Sequence, residues 1–140
     1  MFMKMNSMIN NFSVVIPVFN EEEIFLESAD KIFKICQEMN MPFEIIFSEN
    51  GSMDNTKNLI QDFIEDKDNC FTINSNYANY GLALKNGFEI AKNDVVISFD
   101  IDYFSKKFLK QSLELDENFV ALVASKRLNE SEDERTFIRK

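Results

Sequence analysis

With 140 residues, 45% of them hydrophobic and 15 of them Phe, the chain carries enough apolar surface for one packed domain, which excludes a disordered polymer. A formal net charge of -9 excludes general nucleic-acid binding, because phosphate backbones select clustered Lys and Arg, and it disfavours attachment to anionic lipid except at the mixed-charge tail. The absence of His removes the commonest acid–base side chain, so any chemistry falls to carboxylates, Lys, Arg or a metal ion.

Residues 1–12 read as an N-terminal extension with scattered Met, without the apolar core or small-residue cleavage site of a signal peptide. No apolar run is long enough to cross a bilayer. Ser13 to Val18 is a first strand of fully buried composition, and Pro17, lacking a backbone donor, belongs at its end or where the ladder is open. Asn20 then suits an N-cap, with Glu21, Glu22 and Glu23 in a first helical turn where negative charge favours the macrodipole. Leu26, Ala29, Ile32, Phe33 and Cys36 give that helix an apolar stripe as far as about Met39. Cys36 and Cys70 have no metal-ligand spacing and read as buried free thiols in a reducing compartment.

Phe43 to Phe47 is a second strand entered through Pro42, and a polar turn from Ser48 to Thr56 caps a helix whose inward residues are Leu59, Ile60, Phe63 and Ile64. Phe71 to Asn74 is a short third strand. A loop over Asn76 to Gly81 leads to a helix from about Leu82 to Ala91, with Leu84, Phe88 and Ala91 facing inward. Val95 to Phe99 reads as a central strand buried on both faces, ending in Asp100 and Asp102. Ser105 caps a short helix through Leu113, Phe119 to Ala124 is a fifth strand, and the tail from Ser125 is charged. Strands alternating with helices over short links predict an α/β protein with a parallel sheet, here over residues 13–140 as one unit.

Four loops after predicted strands carry the candidate chemistry. Asp100 and Asp102 lie at the carboxyl end of their strand, where ligands of open α/β sheets bind, and two like charges so close call for a divalent cation between them. Polar loops after α/β strands are also commonly acidic with no ligand involved. Phe19, Asn20 and Glu21 offer an aromatic face and polar edges for a nucleobase, or else an ordinary helix start with a packing Phe. Glu49, Asn50, Gly51 and Ser52, followed by Asp54 and Thr56, form either a base-contacting turn or a turn with an N-cap from Ser52 or Asp54. Asn79, Gly81 and Lys85 open a helix whose N-terminus favours a diphosphate, unless the glycines of this segment serve close packing on the sheet.

In order along the chain, Pro-x-Phe-Asn-Glu, Glu-Asn-Gly-Ser-x-Asp-x-Thr, Asn-x-Gly-x-Ala-x-x-x-Gly and a strand ending Asp-x-Asp resemble glycosyltransferase family 2, most closely its polyprenyl (dolichyl) phosphate sugar transferases. The resemblance implies a GT-A fold, a Rossmann-like three-layer α/β/α sandwich whose N-terminal portion binds nucleotide. It implies transfer of a sugar from a UDP- or GDP-sugar, with inversion and with Mg or Mn, to a polyprenyl phosphate acceptor in cell-envelope glycan synthesis. By resemblance Pro17, Phe19, Asn20, Glu21, Glu49, Asn50, Gly51, Ser52, Asn79, Gly81, Lys85 and Asp100 would line the nucleotide-sugar pocket. Asp100 and Asp102 would hold the metal and serve catalysis, and Lys126 and Arg139 would contact the acceptor phosphate.

Glu49 and Asn50 stand where the family usually has Asp, and Phe104 stands where relatives often place a further polar metal contact. The chain is short against the family, lacking most of the acceptor half and any evident general base. The resemblance therefore also admits a non-catalytic nucleotide-sugar-binding module, completed as a homo-oligomer or by a partner chain. The expected location is cytoplasmic, or peripheral at the cytoplasmic membrane face. A remote alternative is a haloacid-dehalogenase-like phosphohydrolase with Asp100 as nucleophile, although Phe104 departs from that pattern and three strands precede the acidic pair.

Overall fold

The computed structural model describes residues 9–115, 121–123 and 137–139. They fall into two compact units, of which Asn11–Phe104 holds the sheet. In chain order its elements are β1 (Phe12–Val18), α1 (Phe25–Gln37), β2 (Phe43–Glu49), α2 (Thr56–Ile64), β3 (Cys70–Asn74), α3 (Tyr80–Ile90) and β4 (Val95–Ser98). The strands are all parallel, in the order β3-β2-β1-β4. The chain winds outward from β1 to β3 and then crosses back to lay β4 on the other side of β1. That reversal is a topological switch point, and the crevice it opens lies beyond the carboxyl ends of β1 and β4. The architecture is the expected α/β, Rossmann-like one.

Alternate residues of β1 and β2 serve different faces of the sheet. On one face Phe12, Phe43 and Phe47 meet Phe25 and Phe33 of α1 and Phe63 of α2 in a continuous aromatic cluster, with ring centroids 5.2–6.4 Å apart. On the other face α3 lies so close to β1 that a Cβ on Gly87 would stand 2.3 Å from Val15 Cγ1. Ser48 Oγ donates to Ala83 O at 2.6 Å across the same contact. Only small residues fit this approach. The inward positions of α3 are therefore Ala83 and Gly87, and Phe88, expected inside, is exposed.

Four further expectations change. Helix α1 begins at Phe25 rather than after Asn20, because Asn20 takes a left-handed φ of 51° and directs its side chain elsewhere; Glu21 O accepts from the amides of Ile24 and Phe25 to start the helix. The buried stripe becomes Phe25, Ala29, Ile32 and Cys36, leaving Leu26 exposed. Among the described residues β4 is one of the two edge strands of this sheet, not its centre: Val96 is 37% exposed, and the strand fully buried along its length is β1. Helix α3 starts at Tyr80, since Asn79 Oδ1 accepts from the Leu82 amide at 2.9 Å.

Pro17 sits as its missing donor requires. Phe99 N–H donates to Val15 O, so alternate residues of β1 turn their backbone groups toward β4, and the last pair of that ladder is Val15 with Ser98. Pro17 falls just beyond it, where β1 and β4 part and no ladder bond is lost. At the opposite end of the sheet, Ser13 Oγ (2.6 Å) and the Lys92 amide (2.7 Å) donate to the buried Glu44 carboxylate. Cys36 and Cys70 are buried free thiols, as expected.

In the other unit Ser105 Oγ accepts from the Phe108 amide at 3.1 Å and caps α4 (Lys106–Leu113), as the sequence indicated. There β5 (Ala121–Val123) pairs antiparallel with β6 (Phe137–Arg139). The β5 strand lies within the expected Phe119–Ala124 span, whose other residues are outside the described ones. Among the described residues no helix is long and apolar enough to cross a membrane.

Candidate functional site

The corners after β1, β2 and β3 and the acidic end of β4 all lie at the carboxyl edge of one parallel sheet. Hydrogen bonds join them. Between the first two corners the bonds run both ways. Asn20 N–H donates to Ser52 Oγ (2.9 Å) and Asn20 Oδ1 accepts from Met53 N–H (2.8 Å). Glu21 N–H donates to Thr56 Oγ1 (2.9 Å), Glu22 N–H to Asp54 Oδ2 (3.3 Å), and Asn55 N–H to Glu22 Oε2 (2.8 Å). The polar residues read as an N-cap or a pocket wall, Asn20, Ser52, Asp54 and Thr56, thus lace two loops into one body. Helix α2 begins after Asn55 with no side-chain N-cap bond, and Asp54 Oδ1 instead takes the Thr56 amide. Asp54's carboxyl lies below its ordinary value: burial raises it, and bonds from the Thr56 hydroxyl and from the Thr56 and Glu22 amides outweigh that.

The third corner is tied in through Asn50, whose amide donates to Val18 O and whose Oδ1 accepts from Asn79 N–H at 2.7 Å. Gly51 is required here twice over. Its φ is +76°, and a Cβ would stand 2.7 Å from Tyr77 C in the backbone of the link between β3 and α3. Gly81 differs. Among the described residues an added Cβ would meet only Asn79 Oδ1 at 3.7 Å, so none of them demands glycine there. Asn79 O takes the Ala83 amide and Asn79 Oδ1 that of Leu82. The amides of Tyr80 and Gly81 then open the helix without an intrahelical acceptor. Lys85 is exposed one turn further on, 3.8 Å from Glu89.

Tyr80 connects this corner to the acidic end of β4 by donating its hydroxyl to Asp100 Oδ1 at 2.8 Å. Sequence reading passed over Tyr80, because one Tyr ahead of a glycine carries no signal of a carboxylate partner twenty positions on. The phenol is pushed up to about 12 by burial, then by its bond to Asp100 and the charges of Asp100 and Asp102. Across the parting of β1 and β4, the Glu21 carboxyl is raised by burial and then by the negative charges of Asp102, Asp54 and Asp100. The rim is thus a focus of negative potential with an exposed aromatic, Phe19 (41% exposed), at its β1 side.

Among the described residues no three His, Cys, Asp or Glu side chains form a ready-made cage for an ion. The hard-oxygen pair Asp100 and Asp102 nonetheless suits Mg or Mn of the kind held by one or two carboxylates and completed by substrate phosphates. Glu49 is fully buried, and its carboxylate accepts from the amides of Gly51 and Ser52 and faces Lys57 Nζ at 3.8 Å. Lys126 lies outside the described residues, and Arg139 belongs to β6.

Comparison with known proteins bears on this rim. A family model described as "Glycosyl transferase family 2" matches residues 13–140. The undecaprenyl-phosphate 4-deoxy-4-formamido-L-arabinose transferase of Proteus mirabilis is 35% identical over 97 residues, covering 67% of this chain and 29% of that protein. The transferases of the same description from Pseudomonas fluorescens (strain SBW25) and Yersinia pestis (strain Pestoides F) are 38% and 32% identical, over 64% and 71% of this chain. The chain spans 27–31% of the length of these curated relatives.

Proposed function

The chain belongs to glycosyl transferase family 2, and from that premise we propose that its rim binds a nucleotide diphosphate sugar and supports transfer of the sugar, with inversion, to a polyprenyl phosphate. The observation that carries this reading is the convergence of Glu21, Asp54, Asp100 and Asp102 at the switch point. Burial and mutual repulsion there lift the Glu21 carboxyl, a charge arrangement that a divalent cation relieves. Phe19 stacks the base, with Pro17 shaping the crevice and Glu21 at its edge. The amides of Tyr80 and Gly81 in the first turn of α3, with Lys85 nearby, favour the diphosphate, as helix N-termini do.

Asp100 and Asp102 would hold Mg or Mn, which when bound neutralises the departing nucleoside diphosphate. In the transfer an acceptor phosphate oxygen forms the new bond to the anomeric carbon as the bond from that carbon to the diphosphate oxygen breaks. The acceptor oxygen is already anionic, so the step calls for positioning more than for a general base. Lys126 and Arg139 are proposed as its phosphate contacts. The phosphohydrolase alternative is set aside by the family membership.

Calorimetric titration with UDP and GDP, with and without Mn, tests the site. Metal-dependent binding that Asp102→Ala abolishes is expected, and metal-independent binding that survives the substitution overturns the assignment. Turnover with a polyprenyl phosphate acceptor separates an enzyme from a module that only binds donor.

A further inference from the structure

We propose that Glu49 is a positioning residue that fixes the nucleoside-facing loops, and that it does not read the base. The inference rests on the nucleotide reading of this rim and deepens it. A residue that reads a base must present a free hydrogen-bonding edge to the crevice. Glu49 presents none: it is 0% exposed, Oε1 accepts from the Ser52 amide, and Oε2 accepts from Gly51 N–H at 3.2 Å and faces Lys57 Nζ at 3.8 Å.

What the carboxylate holds is the turn that carries the lacing. Ser52, clamped through its amide, offers Oγ to Asn20 N–H at 2.9 Å, and the neighbouring Met53 amide returns a bond to Asn20 Oδ1 at 2.8 Å. Asn20 is the left-handed residue at which the chain turns out of β1, directly between Phe19 and Glu21. The direction of both side chains from that corner is therefore set by a relay of Glu49 to Ser52 to Asn20. Gly51 supplies the φ of +76° that the turn takes, and its lack of a Cβ lets the Tyr77 backbone lie against it. Charge-assisted bonds to amides are the stronger kind, and burial protects them from competition by water.

The experiment compares the intact chain with Glu49→Gln and Glu49→Asp by two measurements. Amide hydrogen exchange without nucleotide is read on the peptides spanning residues 18–24 and 50–56. UDP and GDP are then titrated calorimetrically in the presence of Mn. Glu49→Gln removes the charge while keeping the length, and Glu49→Asp keeps the charge while withdrawing it by one methylene. The expected result is exchange at least tenfold faster in both peptides, including the 18–24 corner, to whose amides the Glu49 carboxylate makes no bond, with affinity for both nucleotides reduced by the same factor. A changed UDP-to-GDP ratio, or unaltered exchange in 18–24, overturns the proposal. If Glu49→Gln does not fold, Glu49→Asp carries the same comparison. If the unsubstituted chain binds neither nucleotide, the reading of the rim fails, while the exchange result still decides the role of Glu49.

Discussion

Alanine at the glycines of the two corners separates a residue needed by the fold from one kept for a ligand. Gly51→Ala places a side chain at φ +76°, which costs roughly 1–2 kcal/mol for an L-residue. The new Cβ would also lie 2.7, 2.9 and 3.0 Å from the C, Cα and N atoms of Tyr77. These are backbone atoms, so relief means moving the link into α3, and overpacking of this kind costs a further ~1–3 kcal/mol. The sum is on the order of 3 kcal/mol. For a chain of 140 residues ~1 kcal/mol moves Tm by about 3–5 °C, so a fall of about 10–15 °C is expected.

Gly81→Ala is the contrasting case. Its new Cβ meets only Asn79 Oδ1 at 3.7 Å, and Ala in a helix is favoured over Gly by up to ~1 kcal/mol. It should melt at or slightly above the unsubstituted temperature yet bind nucleotide about tenfold more weakly, a loss of ~1.4 kcal/mol, because the methyl group occupies the approach to the helix N-terminus. Thermal unfolding by circular dichroism, with nucleotide calorimetry on the same samples, reads both quantities. A Gly51→Ala protein that melts with the parent, or a Gly81→Ala protein that is strongly destabilised, would show that the corner is not built as described.

Three other outcomes follow from the titrating groups. Burial pushes the thiols of Cys36 and Cys70 up to about 12, so an aromatic disulfide reagent at pH 8 should label them only after unfolding. Because these native values lie above the unfolded ones, the unfolded chain loses its protons first. Stability should then be full below about pH 8.5 and decline as pH rises toward 12, with Tyr80 adding to the fall above about pH 10; a urea midpoint that rises over this range would contradict the burial. The Glu21 carboxyl is raised by burial first and by Asp102 next, so Asp102→Asn should lower its pKa without restoring the ordinary value, as followed by carboxyl-carbon NMR. No change would mean that Asp102 does not face Glu21.

The sequence by itself determined the alternation of strands and helices, the parallel sheet, the buried thiols and the order of four loops that marks the family. Each of these is written in local periodicity or in residues close together along the chain. Its errors came where distant segments compete for one group. Asn20 and Ser52 look like caps because capping is the local use of such side chains, but each finds its partner 32 or 33 residues away. Val95–Ser98 looks central because its run is apolar, yet strand order depends on which way the chain crosses after α3. Phe88 looks inward by its helical spacing from Leu84 and Ala91, but the closeness of α3 to Val15 admits only Ala83 and Gly87.

The candidate site divides the same way. Its residue types were legible, because carboxylates, glycines and an aromatic at strand ends are few in this chain and each suggests a chemistry. Which of them face the crevice was decided only by tertiary structure. A hydrogen bond saturates the group that makes it, and folding committed Glu49, Asn50, Asn20 and Ser52 to holding loops together. Phe19, Glu21, Gly81 and Asp102 are the residues we propose for ligand contact, with Asp100 beside them in the grip of Tyr80.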